Sequence, residues 1–101
     1  MRDHSRAYQR QRLAILSAEP LCRHCFNSTP QRIAPAILVD HIVALSIGGT
    51  NDRSNLAPAC KRCNDDKATA ERRFISRGLG LDDVMRDAGL ALWIRLARRR
   101  P

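Results

Sequence analysis

A small α+β fold is predicted for this 101-residue chain, in which two strands and one helix (ββα) form a metal-stapled core flanked by N- and C-terminal helices. Three observations predict it. Two CxxC pairs, Cys22 with Cys25 and Cys60 with Cys63, use all four cysteines; a short Ile- and Val-rich run lies between them; and helical periodicity brackets both. A chain this short buries little apolar surface, and only Tyr8, Phe26, Phe74 and Trp93 supply aromatic bulk. A bound metal would offset that thin core.

Taken in order, residues 5–18 read as a helix: Ser5 can cap it, Tyr8, Ile15 and Leu16 fall near one face, and Pro20 lies just beyond its end. Cys22 and Cys25 then occupy a tight turn. Residues 36–43, AILVDHIV, read as a strand. The segment SIGGTNDRSN is too long for a two-residue turn and closes an irregular hairpin, with LAPAC as the return path. Residues 60–76 follow as a helix of about four turns that stops at Gly78. Gly80 and Gly89 divide the remainder into a short helix, LDDVMRDA, and a basic one whose Leu90, Trp93, Ile94 and Ala97 form an apolar stripe expected to pack as core. The whole, residues 1–101, is expected to be one domain: a leading helix over 1–19, a core over about 22–77 and C-terminal helices over 78–101.

The net charge of +8 comes from sixteen arginines and two lysines against ten acidic residues. Arginine's planar fork suits phosphate, so the expected partner is nucleic acid, with a merely soluble basic surface as the alternative. No apolar run approaches the roughly 18–20 residues that cross a bilayer, and the N-terminus lacks the apolar stretch of a signal peptide. A cytoplasmic location is expected, with no membrane partner, and reduced cysteines there favour metal over disulfides.

Two residues between thiolates let both sulfurs of a turn reach one tetrahedral ion, and two such pairs complete a closed four-cysteine site. Structural zinc held by Cys22, Cys25, Cys60 and Cys63 is the reading; disulfides, an iron-sulfur cluster and a redox pair are the alternatives. A closed site leaves no position for substrate. His24, inside the first pair, is expected to be an exposed residue rather than a ligand.

The ordered string DHI, GG, NL and CxxCNxxK, within DHIVALSIGGTNDRSNLAPACKRCNDDK, resembles the HNH endonucleases of small bacterial and phage type. The resemblance covers roughly residues 22–67, with a looser likeness in YQRQRLAILSAEPLC. It implies a ββα core around one catalytic metal, Mg²⁺ or Mn²⁺, and hydrolysis of DNA phosphodiester bonds. It assigns His41 as general base, Asp40 as a metal ligand, and Asn55 as the residue that fixes the loop and thereby the His41 ring. The final histidine of the family is here Asn64, an HNN variant similar to the HNH domain of RNA-guided CRISPR effectors, where asparagine ligates the metal. Imidazole titrates near neutral pH, and carboxylate and amide oxygens are hard donors suited to Mg²⁺. Because neighbouring strand residues point to opposite faces, Asp40 and His41 can serve one site only if the strand ends, twists or bulges there.

Lys67, three residues after Asn64, is expected to contact phosphate, with Arg62, Arg72 and Arg73 on the same helix. Asp65 and Asp66 are either supporting acids or solvated charges. Arginines of the first helix and of the C-terminus, Arg100 among them, are further candidates for backbone contacts. The expected substrate is double-stranded DNA, nicked or cut with weak sequence specificity, since no aromatic platform for single strands is evident. A zinc-knuckle module that binds DNA without cutting it, and an accessory protein acting beside a phage packaging terminase, are the alternatives.

Overall fold

The computed structural model describes residues 5–99. Its elements follow in the order α1 (Arg6–Ala18), α2 (Arg23–Asn27), β1 (Leu38–His41), β2 (Leu56–Ala59), α3 (Lys61–Ser76) and α4 (Ala88–Arg98), with short 3-10 turns between them. This is the α+β arrangement read from the sequence, a ββα core with helices on either side.

Helix α1 starts where the Ser5 hydroxyl accepts the Tyr8 amide at 3.0 Å, satisfying one of the amides that a helix start leaves unpaired. Its inward face packs Tyr8 and Ile15 against Leu56, with Val39 beside them. The two strands are antiparallel, pairing Leu38 with Ala59, Val39 with Pro58, Asp40 with Ala57 and His41 with Leu56. Strand side chains alternate. Val39, His41 and Leu56 therefore face α1, while Asp40 and Ala57 face the opposite side, where Ala57 joins Phe74 of α3 and Leu90, Ile94 and Ala97 of α4 in one cluster. All four β2 residues are buried, since both faces of this strand are covered.

The strand expected over 36–43 is ladder-paired only from Leu38 to His41. Past His41 the Ile42 amide bonds the Asn55 carbonyl at 2.8 Å and the chain turns away. A strand that ends at His41 is the interruption that two neighbouring side chains need to approach one site. The loop then folds back on the strand end through its glycine pair. Gly48 sits at φ 115°, and a Cβ on Gly49 would meet the Val43 carbonyl oxygen at 1.8 Å.

Helix α3 is capped by Cys60, whose sulfur accepts the Cys63 amide at 3.5 Å, and its end is followed by Gly78 at φ 74°. The helix expected over 81–88 is only a 3-10 turn at Leu81–Asp83. Asp83 turns its carboxylate back onto the Gly80 amide at 2.9 Å, and such local bonds compete with the helical ladder. Asp87 is instead the cap of α4, accepting the Leu90 amide at 3.0 Å, so Gly89 lies inside that helix rather than before it. The far end of α4 is tied to α2: Arg23 donates to the Ala97 carbonyl at 2.7 Å and Asn27 to the Leu96 carbonyl at 2.7 Å. These bonds satisfy carbonyls that a helix end leaves open.

Candidate active site and cysteine centre

The short helix α2 with its cap Cys22, and the start of α3, bring Cys22, Cys25, Cys60 and Cys63 together, their sulfurs all within 4.8 Å of one another. A tetrahedral ion with metal–sulfur bonds of about 2.3 Å needs sulfur–sulfur edges of about 3.8 Å. Cys25 stands 3.8 Å from Cys60 and 3.5 Å from Cys63, so the donor set fits such an ion. Three of the four are buried and none is in a disulfide. Burial pushes the Cys22 and Cys63 thiols up. Burial acts on Cys60 too, but the Cys63 amide and the neighbouring thiols outweigh it and hold that thiol below its usual value. Cys60 is thus readier to meet a cation than Cys22 or Cys63, from which a metal must displace protons. The Arg32 guanidinium, 3.9 Å from the Cys25 sulfur, offsets negative charge that a thiolate cluster would carry.

Farther along α3 an open recess of about 210 Å³ is lined by Asp40, His41, Ala44, Leu45, Ser46 and Glu71. That volume suits an ion with several waters, each taking about 30 Å³. His41 is held from two directions. Its ring stacks on Tyr8 of α1, centroids 5.8 Å apart and planes 5° from parallel. Its Nε2 lies 2.7 Å from the side-chain oxygen of Asn51. Gln11 of α1 donates in turn to the Asn51 carbonyl at 3.0 Å, so one helix braces both supports of the ring.

Asn55 stitches the loop to the strand end, accepting the Val43 amide at 2.9 Å and donating to the Val43 and Thr50 carbonyls at 2.9 and 2.8 Å. It fixes the loop, while the partner of the His41 ring is Asn51. Sequence reasoning missed Asn51, Tyr8 and Glu71 as site residues. The only signal for Asn51 was its place in an Asn-rich loop, and Glu71 lies one helical turn beyond Lys67, a spacing that could have flagged it.

Two sequence expectations are corrected. Lys67 is not a surface contact for phosphate: it is wholly buried, and its ammonium lies 3.1 Å from Asp40 Oδ2, 2.7 Å from Glu71 Oε2 and 2.9 Å from the His41 carbonyl oxygen. Two carboxylates at the recess draw the nearest cation inward, because an unpaired buried charge is costly. Burial pushes the Glu71 carboxyl up, against the lowering pull of Lys67. His24 is likewise not exposed but fully buried, its Nε2 3.5 Å from Asp40 Oδ2 and its ring edge-on to Trp93 at 5.2 Å. The strand and α4 close over it.

Asn64 is half-buried in the first turn of α3 and outside the lining of the recess. Arg62, Arg72 and Arg73 are exposed. Asp65 is exposed and paired with Lys61 at 2.5 Å, the solvated alternative of its two readings. Arg100 lies outside the described residues. Trp93 is partly buried against the cysteine cluster and so belongs to the core.

The HNH endonuclease family profile matches residues 22–69 of the chain. A crystal structure of the HNH endonuclease of the deep-sea thermophilic bacteriophage GVE2 with manganese ion is 36% identical, covers 69% of this chain and 77% of its own, and superposes with a TM-score of 0.57. No curated protein sequence matches. The chain belongs to the HNH endonuclease family, and its function is of the nuclease type.

Proposed function

We propose that the protein is a metal-dependent DNA endonuclease in which His41 is the general base. The observation that supports this most directly is the pairing of Asp40 and His41 on the wall of one open recess, with the His41 ring clamped between Tyr8 and Asn51. An acceptor at Nε2 leaves the lone pair of Nδ1 as the basic atom. Hydrolysis of a phosphodiester needs a water deprotonated and aligned with phosphorus, and His41 takes that proton.

Asp40, with Asn64 from α3, would hold the catalytic divalent ion, Mg²⁺ or Mn²⁺. The fit rests on hard oxygen donors and on the open recess that Asp40 lines. When bound, the ion supplies charge stabilisation to the phosphate and the departing oxygen. Glu71 is a further carboxylate at the same wall. Asn55 holds the loop that carries Asn51. The four cysteines would hold structural zinc, whose softness for thiolate suits a closed four-sulfur set.

Arg62, Arg72 and Arg73 on the exposed side of α3 would contact the phosphates of duplex DNA. We read the chain as a single nuclease domain with its core over 22–77, since α1 packs on both strands and α4 on α2 and α3. No helix among the described residues is long and apolar enough to cross a membrane, and action in the cytoplasm, on phage or host DNA, is part of the same reading. A role beside a phage packaging terminase is the other reading of the sequence, and it is compatible with cutting.

Zinc-loaded protein incubated with supercoiled plasmid and Mg²⁺ or Mn²⁺ should yield nicked or linear product, and His41→Ala should slow this by about 10²–10⁴-fold. Plasmid that is bound yet left intact with either ion would replace this reading with that of a DNA-binding module. Parallel assays of Asn64→Ala and Glu71→Gln at graded Mn²⁺ decide which of the two donors accompanies Asp40.

A further inference from the structure

Inside the protein, between the cysteine cluster and the recess, stands an imidazole with no assigned task. His24 is fully buried, and among the described residues neither ring nitrogen has a hydrogen-bond partner. Leaving such a group unpaired is costly, and an apolar side chain of similar size beside Trp93 would avoid that cost. Its Nε2 lies 3.5 Å from Asp40 Oδ2, an atom that is itself buried without a hydrogen bond among the described residues.

We propose that His24 is a positioning residue for Asp40: its Nε2–H holds Oδ2 from behind, so that the other carboxylate oxygen is presented to the divalent ion in the recess. Lys67 touches the same oxygen at 3.1 Å but off the hydrogen-bond direction. An ammonium on a flexible stem neutralises charge without fixing the plane of a carboxylate. An imidazole N–H on a rigid ring does fix it, and supporting bonds of this kind tighten once a ligand loads the front of the carboxylate. His24 in turn has little freedom to drift. The residues around it, Cys22 and Cys25, are tied to the cysteine centre, and Trp93, nearly perpendicular to the ring, stops it on one side. The turn that binds one metal thus carries the support for the site of the other.

This inference rests on the nuclease reading, and metal affinity tests it apart from cutting. Zinc-loaded full-length wild type, His24→Gln and His24→Leu are titrated with Mn²⁺ while free Mn²⁺ is followed by electron paramagnetic resonance. His24→Leu should bind Mn²⁺ about 10–100-fold more weakly while keeping its zinc, and the Mn²⁺ needed for half-maximal plasmid nicking should rise by the same factor. His24→Gln, whose amide can set an N–H near the position of Nε2, should recover most of the affinity. Unchanged affinity in His24→Leu overturns the proposal, as does equal weakening in both variants. Loss of zinc from both overturns it too, by making His24 a packing residue of the cysteine turn. A wild type that binds no Mn²⁺ removes this inference together with the nuclease reading, whereas wild-type binding matched by His24→Leu removes this inference alone.

Discussion

At the cysteine centre four small side chains converge among apolar neighbours, Ala59, Leu38 and Trp93, and three of the four sulfurs belong to buried residues. At the recess the walls are charged and open, and Asp40 and Glu71 are balanced from inside by the ammonium of Lys67. The first region is closed by its own ligands, so an ion there can only stabilise. The second keeps a side toward solvent, so an ion there can meet a substrate. The difference teaches where each kind of substitution should act: on folding at the cysteines, on chemistry at the recess, and on both at Lys67, which belongs to the recess by contact and to the core by burial.

The largest effect should come from the cysteines. A structural four-cysteine zinc contributes an apparent 10–16 kcal/mol or so at neutral pH, about as much as or more than the roughly 5–15 kcal/mol that holds a typical domain folded. Cys63→Ser should therefore leave the chain unfolded by circular dichroism, and a cooperative melt at the wild-type temperature would break the comparison outright. Next comes Lys67→Met, which leaves Asp40 and Glu71 facing each other without their shared cation and should cost about 3–5 kcal/mol in urea denaturation. Were the loss near zero, the ammonium would be incidental to the fold.

Asn51→Ala should act on the recess alone. Plasmid cutting is expected to slow about tenfold as the His41 ring loses its Nε2 partner, with the melting temperature held. A fall in stability without a change in rate would move Asn51 to the structural side. The smallest effect lies outside both regions. The Leu90 amide, and then Arg77, hold the Asp87 carboxyl below its ordinary value of 3.8, so its contribution is present above that pH and lost as the pH falls through the depressed value. Asp87→Ala should lower the melting temperature at pH 7, and the gap to wild type should close in strong acid. A gap that stays constant with pH would mean that the carboxylate does not cap α4.

The parts of this molecule that could be read from the sequence are those whose chemistry acts over short spacings. Thiolate ligands need a fixed turn, so two CxxC pairs announce the cysteine centre; Ser5 and Gly78 bracket helices because caps are local. Asp40 next to His41, and Asn55 in its loop, were visible for the same reason. What stayed hidden depended on partners distant in the chain. Lys67 turns inward because a strand residue and Glu71 wait for it, and His24 is buried because Asp40 and Trp93 enclose it. Of these partners only Glu71, one helical turn from Lys67, is near in sequence, while Asp40 and Trp93 are distant. The segment over 81–87 misled in another way, since its aspartates bond nearby amides instead of letting a helix run.

The adjacent glycines of the hairpin loop differ in what they forbid, and a saturation library would separate them. At Gly49 a first carbon of any side chain runs into the Val43 carbonyl oxygen, so all nineteen replacements share one steric defect and should score as a single class regardless of polarity or size. At Gly48 the obstacle is a left-handed backbone, with the nearest atom of Leu81 at 3.4 Å, so scores should be graded, asparagine and aspartate ranking above the β-branched residues. Two neighbouring columns of one mutational map would then carry different signatures, one flat and one ordered.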